Sequence, residues 1–289
     1  MKRSEINRIM GAADEMIRRH GFVLPPFAYW SPDAFRARTD ARRIVDARMG
    51  WDITDYGVGE FDRMGLFLFT LRNGFLADLE RGRGMVYAEK LLISRQDQLS
   101  PMHTHIIKSE DIINRGGATL AVKLHGSDDQ GRFAEDKGGT VPCDGIARPF
   151  AAGDVLKLAP GESVTLMPGD WHAFWGEGGD VLIGEVSTVN DDVTDNIFVE
   201  PIGRFATIEE DEQPMHLLVS DYDRWLWWVL EWIYGKVLPD AYAHEHITHY
   251  TRAGLTARLQ AAGYEVLECR YVGFCEMVLK ARKPLAAQS

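Results

Sequence analysis

The stretch PMHTHIIKSEDIINRGG, residues 101–117, decides how the chain folds. His103 and His105 stand two apart in a run of strand character. Successive strand side chains alternate faces, so both imidazoles project from one side as a two-toothed metal clamp. Glu110 lies five residues beyond His105, the wrong parity for that face. It joins the histidines only if Ile106, Ile107, Lys108 and Ser109 bend or bulge. A second stretch, LAPGESVTLMPGDWHAFWG (158–176), puts His172 just after a Pro168-Gly169 turn at the start of another strand, where it can supply a fourth ligand. Three neutral imidazoles and a carboxylate suit a borderline divalent ion such as Mn, Fe, Co, Ni or Zn, with positions left open for a substrate.

Working outward, short β-rich runs separated by turn residues fill the middle of the chain: 65–71, 86–94, 118–124, 154–158, 163–167, 173–175 and 181–186. Their spacing predicts an all-β barrel or sandwich. The Gly-rich stretch 125–145 reads as one long loop over an end of that barrel. Ahead of it, Ile6, Ile9, Met10, Ala13, Met16 and Ile17 recur at helical spacing with charges interleaved, which predicts a helix and not a signal peptide. Pro25, Pro26 and Pro32 then imply an extended, packed arm, and at most two helices precede the main body. Past Ser220 the texture changes to a helix-compatible run, Trp225–Leu238, a second helix ending at Gly263, and two strands at 264–272 and 276–281. The expected division is therefore 1–220, a mainly β domain with N-terminal helices, and 221–289, a small α/β appendage.

The chain has 289 residues, 45% hydrophobic and 26% charged, which excludes disordered and fibrous classes. Forty-three acidic against thirty-two basic residues give a formal charge of -11, which argues against nucleic acid as a partner. Cys143, Cys269 and Cys275 include no C-x-x-C pair and read as free thiols of a cytoplasmic protein. A membrane span needs about 20 apolar residues, and the longest apolar run is the fourteen of 225–238, broken by Glu231 and Lys236. Its four tryptophans need a cover, and a subunit contact in a homodimer is the expectation.

The pattern His103, His105, Glu110, Gly117 followed by Pro168, Gly169 and His172 resembles the two motifs of the cupins, which implies a double-sheet β-barrel. Asp97 stands where a glycine is common, and the proline falls one place late; both departures touch turns and not ligands. More narrowly, residues 1 to about 220 resemble the cupin-type D-lyxose isomerases through KSEDIINRGG (108–117), GEVSTVNDDVTDNIF (184–198) and IGRFATIEEDEQPMHLL (202–218). The L-ribose isomerases share the spacing of Lys108 and Glu110. The resemblance implies an aldose-ketose isomerase, most plainly of D-lyxose and D-xylulose, with His103, His105, Glu110 and His172 holding a divalent metal, usually Mn. D-mannose and L-ribose are alternative substrates. Rival readings are a cupin dioxygenase and a sugar-binding protein without turnover.

Isomerisation moves a carbonyl between C1 and C2, which requires polarising an oxygen and shuttling a proton through a cis-enediolate. Glu185 is the candidate base, because in VLIGEVS it shares the parity of Val181 and Ile183 and so faces the barrel interior. Lys108 is the candidate for stabilising oxyanion charge. Lys90, Asp191, Asp192 and Arg204 are candidates for holding hydroxyls. Asp191 and Asp192 also read as turn residues, and Arg204 as a partner of the acidic run 209–212. No phosphate-binding glycine loop occurs, which favours a free monosaccharide. His244, His246 and His249 lack ligand spacing and read as a polar turn. Residues 246–284 resemble the last helix and two strands of class I S-adenosylmethionine-dependent methyltransferases, yet no strand, G-x-G-x-G, helix arrangement accompanies them, which implies a truncated, non-catalytic appendage.

Overall fold

The computed structural model describes residues 1–192, 194–222, 259–260, 264–272 and 276–282, and the chain divides into two units, Met1–Tyr222 and Asp223–Ser289. In the first unit the strands are β1 (Gly50–Thr54), β2 (Leu66–Asn73), β3 (Tyr87–Ser94), β4 (Ser100–Thr104), β5 (Glu110–His125), β6 (Gly139–Cys143), β7 (Ile146–Phe150), β8 (Val155–Leu158), β9 (Ser163–Leu166), β10 (Trp171–Thr188) and β11 (Ile197–Phe198). Nine of them form one curled, half-barrel sheet in the order β1-β2-β3-β10-β4-β11, with β5 pairing β10, β8 and β9. The long strand β10 is the hub. Its first half pairs with β4 and the far end of β5, and its second half lies between β3 and the start of β5.

Strand β2 reads as a near-continuous apolar run because both of its faces are covered. Phe67, Phe69 and Leu71 turn outward with Leu91, Ile93 and Leu182, and pack under helix α1 (Arg3–Arg19) through Ile6, Ile9, Met10, Ala13 and Ile17. Leu66 and Leu68 turn inward, with Leu92, Ile112, Val181 and Ile183. Burying each such side chain contributes roughly 1.5–3 kcal/mol. This alternation fixes the site as well as the core. Continuing inward parity along three strands leads from Leu92 to Lys90, from Ile183 to Glu185 and from Ile112 to Glu110.

Gly117 answers a backbone need: its φ is +98°, and a Cβ there would stand 2.3 Å from the carbonyl oxygen of Asp180, where β5 and β10 shift register. Asp97 also takes positive φ, 57°, a conformation that aspartate tolerates better than most residues, so the turn survives without glycine.

Three helices, not two, precede β1. Besides α1 there are α2 (Pro32–Arg36), started by Ser31 accepting the N–H of Ala34, and α3 (Arg42–Asp46). Each has five residues, too few for periodicity to reveal. A further short helix, α4 (Leu76–Glu80), follows β2. The stretch read as a loop over 125–145 is a loop only as far as residue 138, since β6 and β7 form a separate hairpin. Asp144 (φ 48°) and Gly145 (φ 81°) make its two-residue turn, the geometry that Asp-Gly favours. Gly139 and Pro142 had masked its strand character.

In the second unit β12 (Glu265–Val272) pairs antiparallel with β13 (Glu276–Arg282), where two strands were expected. The expectations for 225–238, for His244, His246 and His249, and for most of the second helix lie outside the described residues. Among the described residues no helix is long and apolar enough to cross a membrane.

Arg3, 1% exposed, ties α1 to the end of the first unit, donating to Glu210 at 2.8 Å and to Asp221 at 2.9 Å. Arg3→Ala removes a buried guanidinium and takes from the partly buried Asp221 carboxylate its ion pair. Removing one side of such a pair costs about 3–5 kcal/mol, and urea unfolding of variant and wild type is the measurement.

Candidate metal centre

His103 sits on β4 directly opposite His172 on β10, and their rings lie 4.1 Å apart centre to centre. His105 follows at the end of β4, and the chain then bends over Ile106 and Ile107 before β5 opens with Glu110. The bend cancels the parity mismatch. One carboxylate oxygen of Glu110, Oε1, lies 3.3 Å from His105 Nε2 and 3.1 Å from His172 Nε2. The ligand atoms of His103, His105, Glu110 and His172 all fall within 4.8 Å of one another, a cluster that could hold a metal ion.

The hydrogen bonds test whether the donor set fits a cation. Each histidine directs Nδ1 at a main-chain carbonyl: His103 at Pro101 (2.8 Å), His105 at Asp195 (2.9 Å) and His172 at Asp170 (3.1 Å). A carbonyl only accepts, so Nδ1 carries the proton and Nε2 of the neutral ring is a bare acceptor. His105 Nε2, His172 Nε2 and Glu110 Oε1 are buried without a hydrogen-bond donor. Acceptors packed together in this way repel one another unless a cation joins them, and Nδ1–H to carbonyl is the usual outer support of a metal-bound histidine. Desolvation, and then the facing imidazoles of His172 and His105, hold His103 well below the ordinary histidine value, which keeps it neutral.

From Glu110 a row of alternating charges runs along the interior face. Lys108 Nζ is 2.5 Å from Glu110 Oε2 and 3.0 Å from Glu185 Oε1. Lys90, opposite Glu185 in the β3–β10 register, is 3.4 Å from it and 3.5 Å from Asp192. Arg204 continues the row, 3.3 Å from Asp192 and 2.9 Å from Asp52. Burial opposes the charge on Lys108, but Glu110 and Glu185 outweigh it and hold the ammonium above the ordinary lysine range. Burial likewise opposes the charge on Glu110, yet the Lys108 ammonium beside it holds its carboxyl well below the usual range. Asp52 is shifted the other way, because burial outweighs Arg204 there.

Nine of the ten residues singled out from the sequence therefore meet in one place. Asp191 does not: its carboxylate accepts from the N–H and hydroxyl of Thr194, the turn role set beside the binding one. Arg204 pairs with Asp52 and Asp192, while the acidic run is engaged elsewhere, Glu210 by Arg3 and Asp211 by Ser4. Three participants were not foreseen. Asp52 was legible as a charge inside the buried strand GWDIT. Asn190, which accepts from Lys90 at 2.6 Å, and Asp195 look from sequence like ordinary turn residues of VNDDVTDN.

The half-barrel and its histidine–glutamate cluster define a cupin, and that cluster could hold a metal ion. Residues 1–222 match the family model described as D-lyxose isomerase. A D-lyxose/D-mannose isomerase of Serratia proteamaculans is 46% identical over 230 residues, 78% of this chain and 100% of the relative, and one of Escherichia coli O157:H7 is 44% identical over 226 residues, 77% of this chain and 98% of the relative. The chain belongs to the D-lyxose isomerase family and is a sugar isomerase. In fold it is similar to the L-ribose isomerase of Geodermatophilus obscurus (TM-score 0.51, 17% identity) and to that of Acinetobacter sp. DL28 in complex with L-ribose (TM-score 0.50, 16%), each match covering 72% of this chain and 98% of the other.

Asp192 gives the row a measurable pH dependence. Burial opposes its charge, but Arg204 and Lys90 outweigh burial and hold the carboxyl well below the ordinary range. A carboxyl depressed in the fold adds stability above its unfolded value, about 3.9, and that stability is lost as pH falls through the folded value. Asp192→Asn lacks the contribution. It is expected to be less stable than wild type near neutrality and to lose less as pH falls below about 4, which urea midpoints across the acid range will show.

Proposed function

We propose that the protein interconverts D-lyxose and D-xylulose through a cis-enediolate, with His103, His105, Glu110 and His172 as ligands of a divalent metal, manganese in the first instance and Co, Fe, Ni or Zn as substitutes. The observation that carries this reading is the shared ammonium of Lys108, which ties the buried Glu185 carboxylate to the ligand cluster through Glu110. When bound, a divalent ion supplies Lewis acidity toward the C1 and C2 oxygens of the sugar. Glu185 takes the proton from one of these carbons and returns it to the other. Lys108, held charged by two carboxylates, stabilises negative charge on oxygen as the proton leaves. Lys90, Asp192 and Arg204 hold the remaining hydroxyls; the buried Nη1 of Arg204 has no acceptor and is free to donate to one.

D-mannose is the second substrate of this reading, favoured by the names of the two relatives. It shares the configuration of D-lyxose at C2, C3 and C4, so groups that recognise those hydroxyls serve both. The second unit, with its β12–β13 pair, is proposed to be a non-catalytic appendage of methyltransferase-like sequence, and the assembly a cytoplasmic homodimer.

Proton NMR of metal-stripped and Mn-reconstituted protein with D-lyxose in deuterated water tests the reaction. The expected result is D-xylulose only in the reconstituted sample, with deuterium entering the sugar carbon. Deuterium uptake would favour the enediolate over a hydride shift, and no ketose from either sugar at full metal occupancy would sink the assignment.

Glu185→Gln removes the proposed base and keeps its shape. Turnover is expected to fall by at least about 100-fold at unchanged metal content measured by elemental analysis; wild-type turnover would eliminate Glu185 as the base.

A further inference from the structure

The bend that carries Glu110 to the histidines is held by a side chain with no part in the proposed chemistry. Asp195 is buried, 5% exposed. Its Oδ1 accepts the backbone N–H groups of Ile106 and Ile107, each at 2.8 Å, and its Oδ2 accepts that of Lys108 at 2.9 Å. Its main-chain carbonyl accepts from His105 Nδ1 at 2.9 Å. Beyond the bend, Ser109 donates instead to the hydroxyl of Thr188, at 3.2 Å.

Successive N–H groups of an extended strand point to opposite sides, so no single carboxylate can collect three in a row from one. Only a turned backbone presents them together, as a nest whose aligned dipoles favour an enclosed negative charge. Asp195 supplies that charge, and at the same residue orients the ring of the ligand that precedes the bend. We infer that Asp195 is a positioning residue of the metal centre: its carboxylate fixes the bend that sets Glu110 against His105 and His172. The inference rests on the metal reading given above. Side-chain variants leave the Asp195 carbonyl in place, so they isolate the grip of the carboxylate on the bend.

Cobalt(II) is the probe, titrated into metal-stripped wild type, Asp195→Asn, Asp195→Ala and the control Asn7→Ala, following the dissociation constant and the visible absorption bands. Asn7, itself buried, makes partly buried hydrogen bonds to Gln213 and Met215 away from the bend, so the control loses stability without touching it. Outer-shell substitutions typically weaken metal binding about 10- to 100-fold. That loss, with altered band positions and intensities, is expected for Asp195→Ala. Asp195→Asn, which keeps one acceptor oxygen, should fall between it and wild type, and carries the comparison if the alanine variant fails to fold. Asn7→Ala should melt earlier yet keep the wild-type constant and spectrum. Wild-type constants and spectra in both Asp195 variants would overturn the inference, as would an equal change in Asn7→Ala, which would reduce the effect to general destabilisation. Wild type that takes up no cobalt would overturn the metal reading itself, and the inference with it.

Discussion

The carboxylate of Glu110 imposes the constraint on which the rest of the site depends. One oxygen faces two imidazole acceptors and the other faces an ammonium, so the group works only if it is placed from both sides at once. A regular strand running from His105 would carry Glu110 to the wrong face. The protein therefore breaks the strand for a few residues and resumes it as β5, whose pairing with β10 then fixes Glu110 opposite Ser187. The same strand β10 brings His172 against His103 at its other end. Cluster geometry is thus a consequence of sheet register, with one local exception.

Along the inward-facing positions of the half-barrel, an apolar end gives way to a charged end. Isolated buried charges would be too costly to keep, and the protein retains them by alternation: Glu110, Lys108, Glu185, Lys90, Asp192, Arg204 and Asp52 each face a group of opposite sign. Such a row is stiff, because moving any one group leaves its neighbours uncompensated. It also sets donors and acceptors side by side at short intervals, which is what a polyhydroxylated ligand requires, since every hydroxyl both donates and accepts.

Much of this was legible in the sequence, and for identifiable reasons. Short β-rich runs between turn residues located the strands, and parity within VLIGEVS predicted an inward Glu185, because parity survives wherever a strand stays regular. The H-x-H spacing and the mismatch at Glu110 were visible for the same reason, and the mismatch itself pointed to the bend. What escaped depends on contacts distant in sequence or on turn chemistry. Nothing near Asp195 signals that its carboxylate reaches back to residues 106–108, and nothing near Arg204 reveals Asp52, one hundred and fifty-two residues away. The β6–β7 hairpin was hidden by its own glycine and proline, although Asp144-Gly145 announced its turn. Helices α2 and α3 are shorter than the window in which a helical period can be counted.

The charge balance along the row also bears on what the site can accept. A phosphorylated ligand needs cations not already committed, or the N-terminus of a helix aimed at it. Here Lys108 and Lys90 share Glu185, Lys108 also meets Glu110, and Arg204 is held between Asp52 and Asp192. An incoming dianion would have to displace one of these carboxylates, leaving it buried beside others of the same sign. A neutral polyol asks for no such exchange: it can take the remaining donor of Arg204 and the unused lone pairs of the carboxylates while every ion pair stays intact. The arrangement that keeps seven charged side chains inside a barrel is therefore the same arrangement that favours an uncharged ligand.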